Sequence, residues 1–89
     1  MIELRAKIEG RVHGVGFRAT TVEFARELHL NGVVRNLSDG SVEIIAQGEK
    51  PALEELIAKL RAVFAKKYIE KLTLHYVKPT KIYSNFSAE

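Results

Sequence analysis

The spacing of the apolar residues switches along this chain between the two-residue period of a β-strand and the period of a helix, and the order of these switches restricts the possible folds. Residues 2–9 alternate charged side chains with the apolar residues Ile2, Leu4, Ala6 and Ile8. A strand with one buried face and one solvated face produces this alternation. We therefore predict that the chain begins with a strand that packs one face against a core.

Two segments have helical spacing. Residues 17–29 form the first, and we expect Asn31-Gly32 to provide its stop signal, because glycine tolerates the left-handed conformation that follows many helices. The second is predicted to open at Pro51, whose missing N–H costs nothing in the first turn. Its apolar stripe consists of Leu53, Leu56, Ile57, Leu60, Val63 and Phe64.

The remaining patterned segments are β-rich. Residues 33–37 and 41–46 flank the hairpin-turn pair Asp39-Gly40, so these two strands should be antiparallel. Residues 69–77 alternate again, and a short last strand is expected around 83–87. The order strand, helix, strand, strand, helix, strand predicts the α+β class. We expect a ferredoxin-like α/β sandwich (βαββαβ), an antiparallel sheet with two helices on one face and water on the other.

Length and composition exclude several classes of protein. With 89 residues, 46% of them hydrophobic, we expect residues 1–89 to form a single domain. The absence of cysteine excludes disulfides, thiolate catalysis and cysteine-ligated metals. The three histidines form no H-x-x-x-H or H-x-H pair, so we expect no metal site. No apolar run approaches the roughly 18 residues of a membrane span. We expect a cytoplasmic protein with no membrane partner, and nothing in the sequence demands more than a monomer.

The segment Gly14-Val15-Gly16-Phe17-Arg18, between the first strand and the first helix, gives the clearest indication of a ligand. None of positions 14–17 carries a side chain that caps helix amides. Arg18 also puts a cation at the positive end of the helix dipole, which is unfavourable by roughly 0.3–1 kcal/mol. A bound anion would remove both irregularities, since glycines let amides converge and a guanidinium matches phosphate oxygens. Water could satisfy the same amides, so the spacing alone leaves both interpretations open.

Other anion-binding interpretations are weaker. The pattern Gly14-x-Gly16-x-x-Ala19 formally fits a dinucleotide fingerprint, which also requires an acidic residue about 20 positions further on, at the end of a parallel strand. Asp39 has this spacing but belongs to a hairpin turn, and a second mononucleotide-binding half is missing. The net charge of +3 fits an anionic partner as well as a mildly basic solvated surface. RNA binding would need exposed aromatic residues on the central strands, and the predicted strands 2–9 and 41–46 have none. We expect no nucleic-acid partner.

Two segments of the sequence resemble the signatures of the acylphosphatase family. The stretch G-x-V-Q-G-V-x-F-R has its counterpart in residues 10–18, and G-x-V-x-N followed by D-G-x-V has its counterpart in residues 32–42. Gly48 and Phe86 also fit the family's layout, so the resemblance covers essentially the whole domain. Two departures stand out. His13 replaces the usual glutamine, which we expect to matter little, and Val33 replaces the usual aromatic residue.

The resemblance implies metal-free hydrolysis of the carboxyl–phosphate bond of acyl phosphates to a carboxylate and inorganic phosphate, without a cofactor. It implies two catalytic residues, Arg18 as the phosphate-binding arginine and Asn36 as the water-orienting asparagine. The backbone amides of Val15, Gly16, Phe17 and Arg18 would bind the substrate phosphate, and inorganic phosphate or sulfate would compete with the substrate. Two alternatives remain open. Asparagine beside a hairpin is commonly a turn former, and a carrier domain could bind acyl phosphates without useful turnover.

Overall fold

The structure, a computed structural model, describes all of residues 1–89 as two helices and five strands. Neither helix is long and apolar enough to cross a membrane. The element order βαββαβ, followed by one short extra strand, confirms the predicted ferredoxin-like α/β sandwich. In chain order the elements are β1 (Ile2–Gly10), α1 (Phe17–Glu27), β2 (Asn31–Asn36), β3 (Val42–Gly48), α2 (Lys50–Phe64), β4 (Ile69–Val77) and β5 (Phe86–Ala88).

The sheet has the strand order β4-β1-β3-β2-β5. The four long strands are antiparallel to their neighbours, as expected, and β2 and β3 form the hairpin predicted from the Asp39-Gly40 turn. The short strand β5 instead pairs parallel with β2, so the complete sheet is mixed. β5 begins at Phe86, later than the 83–87 segment that the sequence suggested. β5 is therefore the edge strand of the sheet, and the last residues of the chain lie beside β2.

The hydrophobic core fills the space between the helices and one face of the sheet. Leu4, Ala6 and Ile8 of β1 are all buried there, as their alternation predicted. The stripe on α2 is buried as well, with the exception of Val63, whose side chain is 57% exposed. The rings of Phe17 and Phe64 lie 4.9 Å apart between the two helices. This contact fixes the start of α1, and therefore the loop that precedes it, against α2.

The expected stop signal of α1 is wrong. The left-handed residue is His29, with φ 58°, and the helix has already ended at Glu27. Gly32 lies inside β2 with φ 148°, where a Cβ atom would sit 1.9 Å from the backbone oxygen of Ile45 on β3. Close approach of two strands, which local sequence does not reveal, therefore accounts for this glycine.

The second face of the sheet is only partly open to water, in contrast to the expectation. Glu3 and Gln47 are both buried on it, and Gln47 Nε2 donates to a Glu3 carboxylate oxygen at 2.8 Å. Gln47 also donates to the backbone oxygen of Lys81 at 2.5 Å and accepts from the amide of Tyr83 at 3.1 Å. Val33 is buried on this face too. The segment before β5 thus crosses this face and directs β5 to its place beside β2.

Candidate active site

The N-terminus of α1 has no side-chain cap. Its N-cap residue is Gly16, in the left-handed conformation (φ 79°, ψ 13°), and the first turn contains no acidic residue. The first amide bonded back to the loop is that of Thr20, which donates to the oxygen of Gly16 at 3.0 Å. No amide between residues 14 and 19 donates to a side chain or to a loop backbone oxygen. The uncapped helix end predicted from the sequence is therefore present, with its donors free for a ligand.

The loop in front of α1 is fixed by its two ends. Val12 and Phe17 are buried in the core, and the amide of Arg11 donates to the backbone oxygen of Tyr68 at 2.8 Å. Between these anchors Gly14 and Gly16 have φ of 75° and 79°, and a Cβ atom on either would meet nothing within 4 Å. Their backbone conformation therefore requires glycine, whereas the space around them does not. Left-handed residues of this kind let successive amides face one anion.

Arg18 lies in the first turn of α1 and is half-buried. One terminal nitrogen of its guanidinium donates to the backbone oxygen of Glu89, just after β5. The other guanidinium donors have no partner in the protein. Since an arginine side chain carries five N–H donors in a planar fork, most of that fork remains available to an anion. The cation at the positive end of the helix dipole is thus held in position by a residue distant in sequence.

Asn36 is the last residue of β2, and its side chain is exposed and makes no hydrogen bond within the protein. The hairpin beyond it is held by the amide of Leu37, which donates to the oxygen of Ser41 at 2.8 Å. Asp39 supports the same turn and accepts from the Ser41 hydroxyl at 2.5 Å and the Ser41 amide at 2.9 Å. These bonds, together with the Lys7 ammonium 3.1 Å away, hold the pKa of Asp39 well below its ordinary value. The hydrogen bonds of the turn therefore do not involve the side-chain amide of Asn36.

Arg18 and Asn36 come together at one cavity of about 180 Å³ between the start of α1 and the end of β2. Val15 is half-buried against the core and does not line this cavity, although its neighbours do. Larger grooves of about 270–380 Å³ lie elsewhere on the surface, but none of them is lined by the residues that carry the free helix amides. The cavity is lined by Val12, Gly14, Gly16, Phe17, Arg18, Ala19 and Asn36.

The three histidines lie on separate parts of the fold. His29 follows α1, His75 belongs to β4, and His13 lies in the loop before α1. No group of three or more His, Asp or Glu side chains converges to a set of metal ligands. The ring of His13 reaches the hairpin, where Nε2 lies 3.0 Å from the backbone oxygen of Ser41. Sequence reasoning missed this contact, and the only signal for it was the departure from the family's usual glutamine.

Known proteins resemble this chain over nearly its whole length. The model of the acylphosphatase family matches residues 4–88. The chain belongs to the acylphosphatase family. A curated acylphosphatase from Chloroflexus aurantiacus is 40% identical over 80 residues, which are 90% of this chain and 87% of that protein. One from Lactobacillus gasseri is 40% identical over 82 residues, covering 91% of this chain and 90% of that protein.

Solved structures give the same result. The crystal structure of the acylphosphatase from Bacillus subtilis superposes with a TM-score of 0.90 at 29% identity, covering 100% of this chain and 99% of that one. The structure of HypF from T. kodakarensis matches 100% of this chain with only 12% of its own, at 27% identity and a TM-score of 0.84. As a member of the acylphosphatase family, the chain is a hydrolase that cleaves the carboxyl–phosphate bond of acyl phosphates.

Proposed function

We propose that the cavity between α1 and β2 is the active site of this acylphosphatase, with Arg18 and Asn36 as its catalytic residues. One observation carries the proposal: Gly16 at the uncapped helix N-terminus, Arg18 with most of its guanidinium donors free, and Asn36 with an unpartnered side-chain amide all line a single cavity. The backbone amides of Val15, Gly16, Phe17 and Arg18 are the proposed ligands of the phosphoryl oxygens. No metal and no cofactor takes part in this proposal.

The phosphoryl group meets three favourable features in this cavity. The first amides of α1 lack partners, and an anion accepts from them at the positive end of the dipole. The left-handed Gly14 and Gly16 allow the loop amides to turn toward the same point. Arg18 adds charge-assisted hydrogen bonds with the donors that Glu89 leaves free. Together these groups stabilise charge on the oxygens of the group that is transferred, which is most of what phosphoryl transfer demands.

Asn36 is proposed to hold the attacking water. A neutral amide accepts a hydrogen bond from one water proton, which directs a water lone pair toward phosphorus. The water oxygen attacks in line, the bond from phosphorus to the carboxyl oxygen breaks, and the leaving group departs as a carboxylate. No acidic side chain lines the cavity. We therefore propose that a phosphoryl oxygen of the substrate takes the proton of the water, so that the products are a carboxylate and inorganic phosphate.

The small size of the cavity bears on the substrate. A volume of about 180 Å³ lies below the roughly 300–1,000 Å³ of pockets that enclose drug-sized ligands. We propose that the phosphoryl group and the adjacent carboxyl oxygen occupy the cavity while the rest of the acyl group extends into solvent. The substrate class is then acyl phosphates, recognised by the anhydride and not by the acyl chain.

Inorganic phosphate and sulfate are proposed competitors, because they present the same oxygens to the same amides. At a concentration one hundred times Kd, phosphate should raise the free energy of unfolding by about 2.7 kcal/mol. Calorimetric scans with phosphate and with chloride at matched ionic strength measure this effect, and identical melting in both would contradict a preformed site.

We propose that a single domain acts as a monomer, because one copy of the chain supplies both Arg18 and Asn36 to the cavity. We further propose a cytoplasmic location, a reducing environment that suits a chain without cysteine. Sedimentation of the purified protein and fractionation of cells test these two points.

The direct test of the proposed function is the release of inorganic phosphate from acetyl phosphate and benzoyl phosphate, measured with a chelator present. We expect turnover of both substrates at rates that the chelator does not change. Binding of benzoyl phosphate without phosphate release would instead indicate a carrier domain. Loss of turnover on chelation would contradict the metal-free mechanism.

A further inference from the structure

The side chain of His13 connects the two halves of the proposed active site. His13 lies in the loop whose Gly14 and Gly16 line the cavity, and its Nε2 is 3.0 Å from the backbone oxygen of Ser41, a residue 28 positions further along. Because a carbonyl oxygen only accepts hydrogen bonds, Nε2 must carry the proton and donate. No other side chain of residues 11–16 makes a hydrogen bond to the hairpin. His13 therefore provides the single side-chain tie between this loop and the hairpin.

The accepting oxygen is itself firmly placed. Ser41 is buried, and its oxygen also accepts the amide of Leu37 at 2.8 Å. Leu37 directly follows Asn36, and Asn36 pairs with Val42 across the hairpin. A force on the Ser41 oxygen is thus transmitted through one hydrogen bond and one peptide unit to Asn36. This contact therefore links the loop to the end of β2 that carries Asn36.

We propose that His13 is a positioning residue for acyl phosphate hydrolysis, which sets the separation between the phosphate-binding loop and the water held by Asn36. The inference rests on the proposed function of Arg18 and Asn36. In-line attack requires the water and the phosphoryl group at a defined distance, and a displacement of about 1 Å can lower the rate by about 10²-fold. The hydrogen bond of His13 connects the loop that binds the phosphoryl group to the hairpin that carries Asn36, so it acts directly on that distance.

A glutamine at this position has an amide N–H donor and can make the same kind of bond to a carbonyl oxygen. This equivalence accounts for the departure from the family's usual residue in chemical terms, since both side chains supply an N–H donor at the end of a short stem. A purely structural role for His13 predicts a different result. In that case its loss lowers the melting temperature and leaves the activity of the folded molecule unchanged.

The test is a double-mutant cycle between His13 and Asn36, with kcat on benzoyl phosphate, the inhibition constant of phosphate and the melting temperature measured on each variant. We expect His13→Ala to lower kcat about three- to tenfold, the factor that corresponds to one ordinary hydrogen bond. The inhibition constant of phosphate should stay within about twofold of the wild-type value, because the bond from His13 does not contact the anion. His13→Gln should restore kcat.

In the Asn36→Ala background, His13→Ala should leave kcat unchanged, because no water remains for it to position. His75→Ala is the matched control, since that exposed histidine of β4 makes no side-chain hydrogen bond. His13→Phe serves as a second variant, because it keeps a ring of similar size and removes the donor, so a folding defect of the alanine variant does not decide the result.

Three results would overturn the role of His13: losses that multiply in the double variant, no rescue by glutamine, or phosphate affinity that falls in step with kcat. All three results are compatible with the proposed function, which is tested separately by the single variants of Arg18 and Asn36. Full kcat in Asn36→Ala would remove the water-orienting role and this inference together.

Discussion

Arg18 and Glu89 are 71 residues apart in the sequence, and the guanidinium of Arg18 donates to the backbone oxygen of Glu89. The same stretch of chain is held on both sides. The amide of Glu89 donates to the oxygen of Val34 at 2.9 Å, and Arg26 donates to the oxygen of Phe86 at 3.0 and 3.2 Å. The arginine proposed to bind the phosphoryl group is therefore oriented by the protein before any substrate arrives, which lowers the entropic cost of binding.

We expect Arg18→Ala to lower kcat/KM by at least about 10³-fold, the scale of a guanidinium that stabilises a phosphoryl transition state. Arg18→Lys should recover little, because an ammonium cannot supply a planar fork to both Glu89 and the phosphate. Hydrolysis of benzoyl phosphate and the melting temperature measure the two effects. Arg11→Ala, which removes an exposed arginine at the first position of the loop, is the control for net charge. Near wild-type activity in Arg18→Lys would contradict the assigned role.

Asn36→Ala should lower kcat by about 10²–10³ and leave the inhibition constant of phosphate nearly unchanged, as expected for one preorganised hydrogen-bonding group. The melting temperature should change little, since the side chain of Asn36 makes no hydrogen bond within the protein. Asn31→Ala, at the other end of β2, is the matched control. A turn-forming role predicts the reverse, with full activity per folded molecule and a lower melting temperature.

Gly16→Ala and Gly40→Ala form a second matched pair, since both glycines have positive φ, 79° and 91°, with open space around a Cβ atom. Each substitution should lower the free energy of unfolding by about 1–2 kcal/mol, the cost of a left-handed alanine. Only Gly16→Ala should also weaken phosphate binding, because only Gly16 shapes the loop before α1. Calorimetry with titrated phosphate measures both quantities. Equal loss of phosphate affinity in the two variants would show that the effect is not local.

The hydrogen bonds that Asp39 accepts from Ser41, with its ion pair to Lys7, predict a pH dependence of stability. Hydrogen bonds from Ser41, with the Lys7 ammonium, hold the pKa of Asp39 below its ordinary value of 3.8 in the folded protein. The folded state then binds this proton less readily than the unfolded chain does. The contribution of the Asp39 carboxylate to the free energy of unfolding is therefore complete above about pH 4 and is lost as the pH falls toward the folded pKa.

Asp39→Asn should therefore melt at a lower temperature than the wild type near pH 7, and the gap should narrow below pH 4. Thermal scans between pH 7 and pH 2 test this expectation. Glu23→Gln, at an exposed acid of α1 without an ion pair, should show no such trend. A gap of constant size at every pH would assign the effect of Asp39 to the shape of the turn and not to its charge.

The sequence by itself determined the elements and the local chemistry. The alternation of β1 and β4, the stripe on α2 and the Asp39-Gly40 turn each depend on neighbours within a few residues, so periodicity and turn propensity were sufficient to predict them. The missing cap and the cation at the start of α1 are local in the same sense. The proposed roles of Arg18 and Asn36 came from the resemblance to the acylphosphatase signatures, because an isolated asparagine beside a hairpin has no distinctive pattern.

Only the tertiary structure decided the relationships between distant segments. The sequence predicts a helix stop at Asn31-Gly32, whereas the close approach of Gly32 to Ile45 on β3 is the reason for glycine there. The parallel pairing of β5 with β2, the burial of Gln47 beneath the last segment and the bond from Arg18 to Glu89 all join residues far apart in the chain. The contact of His13 with Ser41 is of the same kind. Local sequence encodes which conformation a segment adopts, but which segments meet depends on how the sheet is assembled, and the separation between Arg18 and Asn36 is set there.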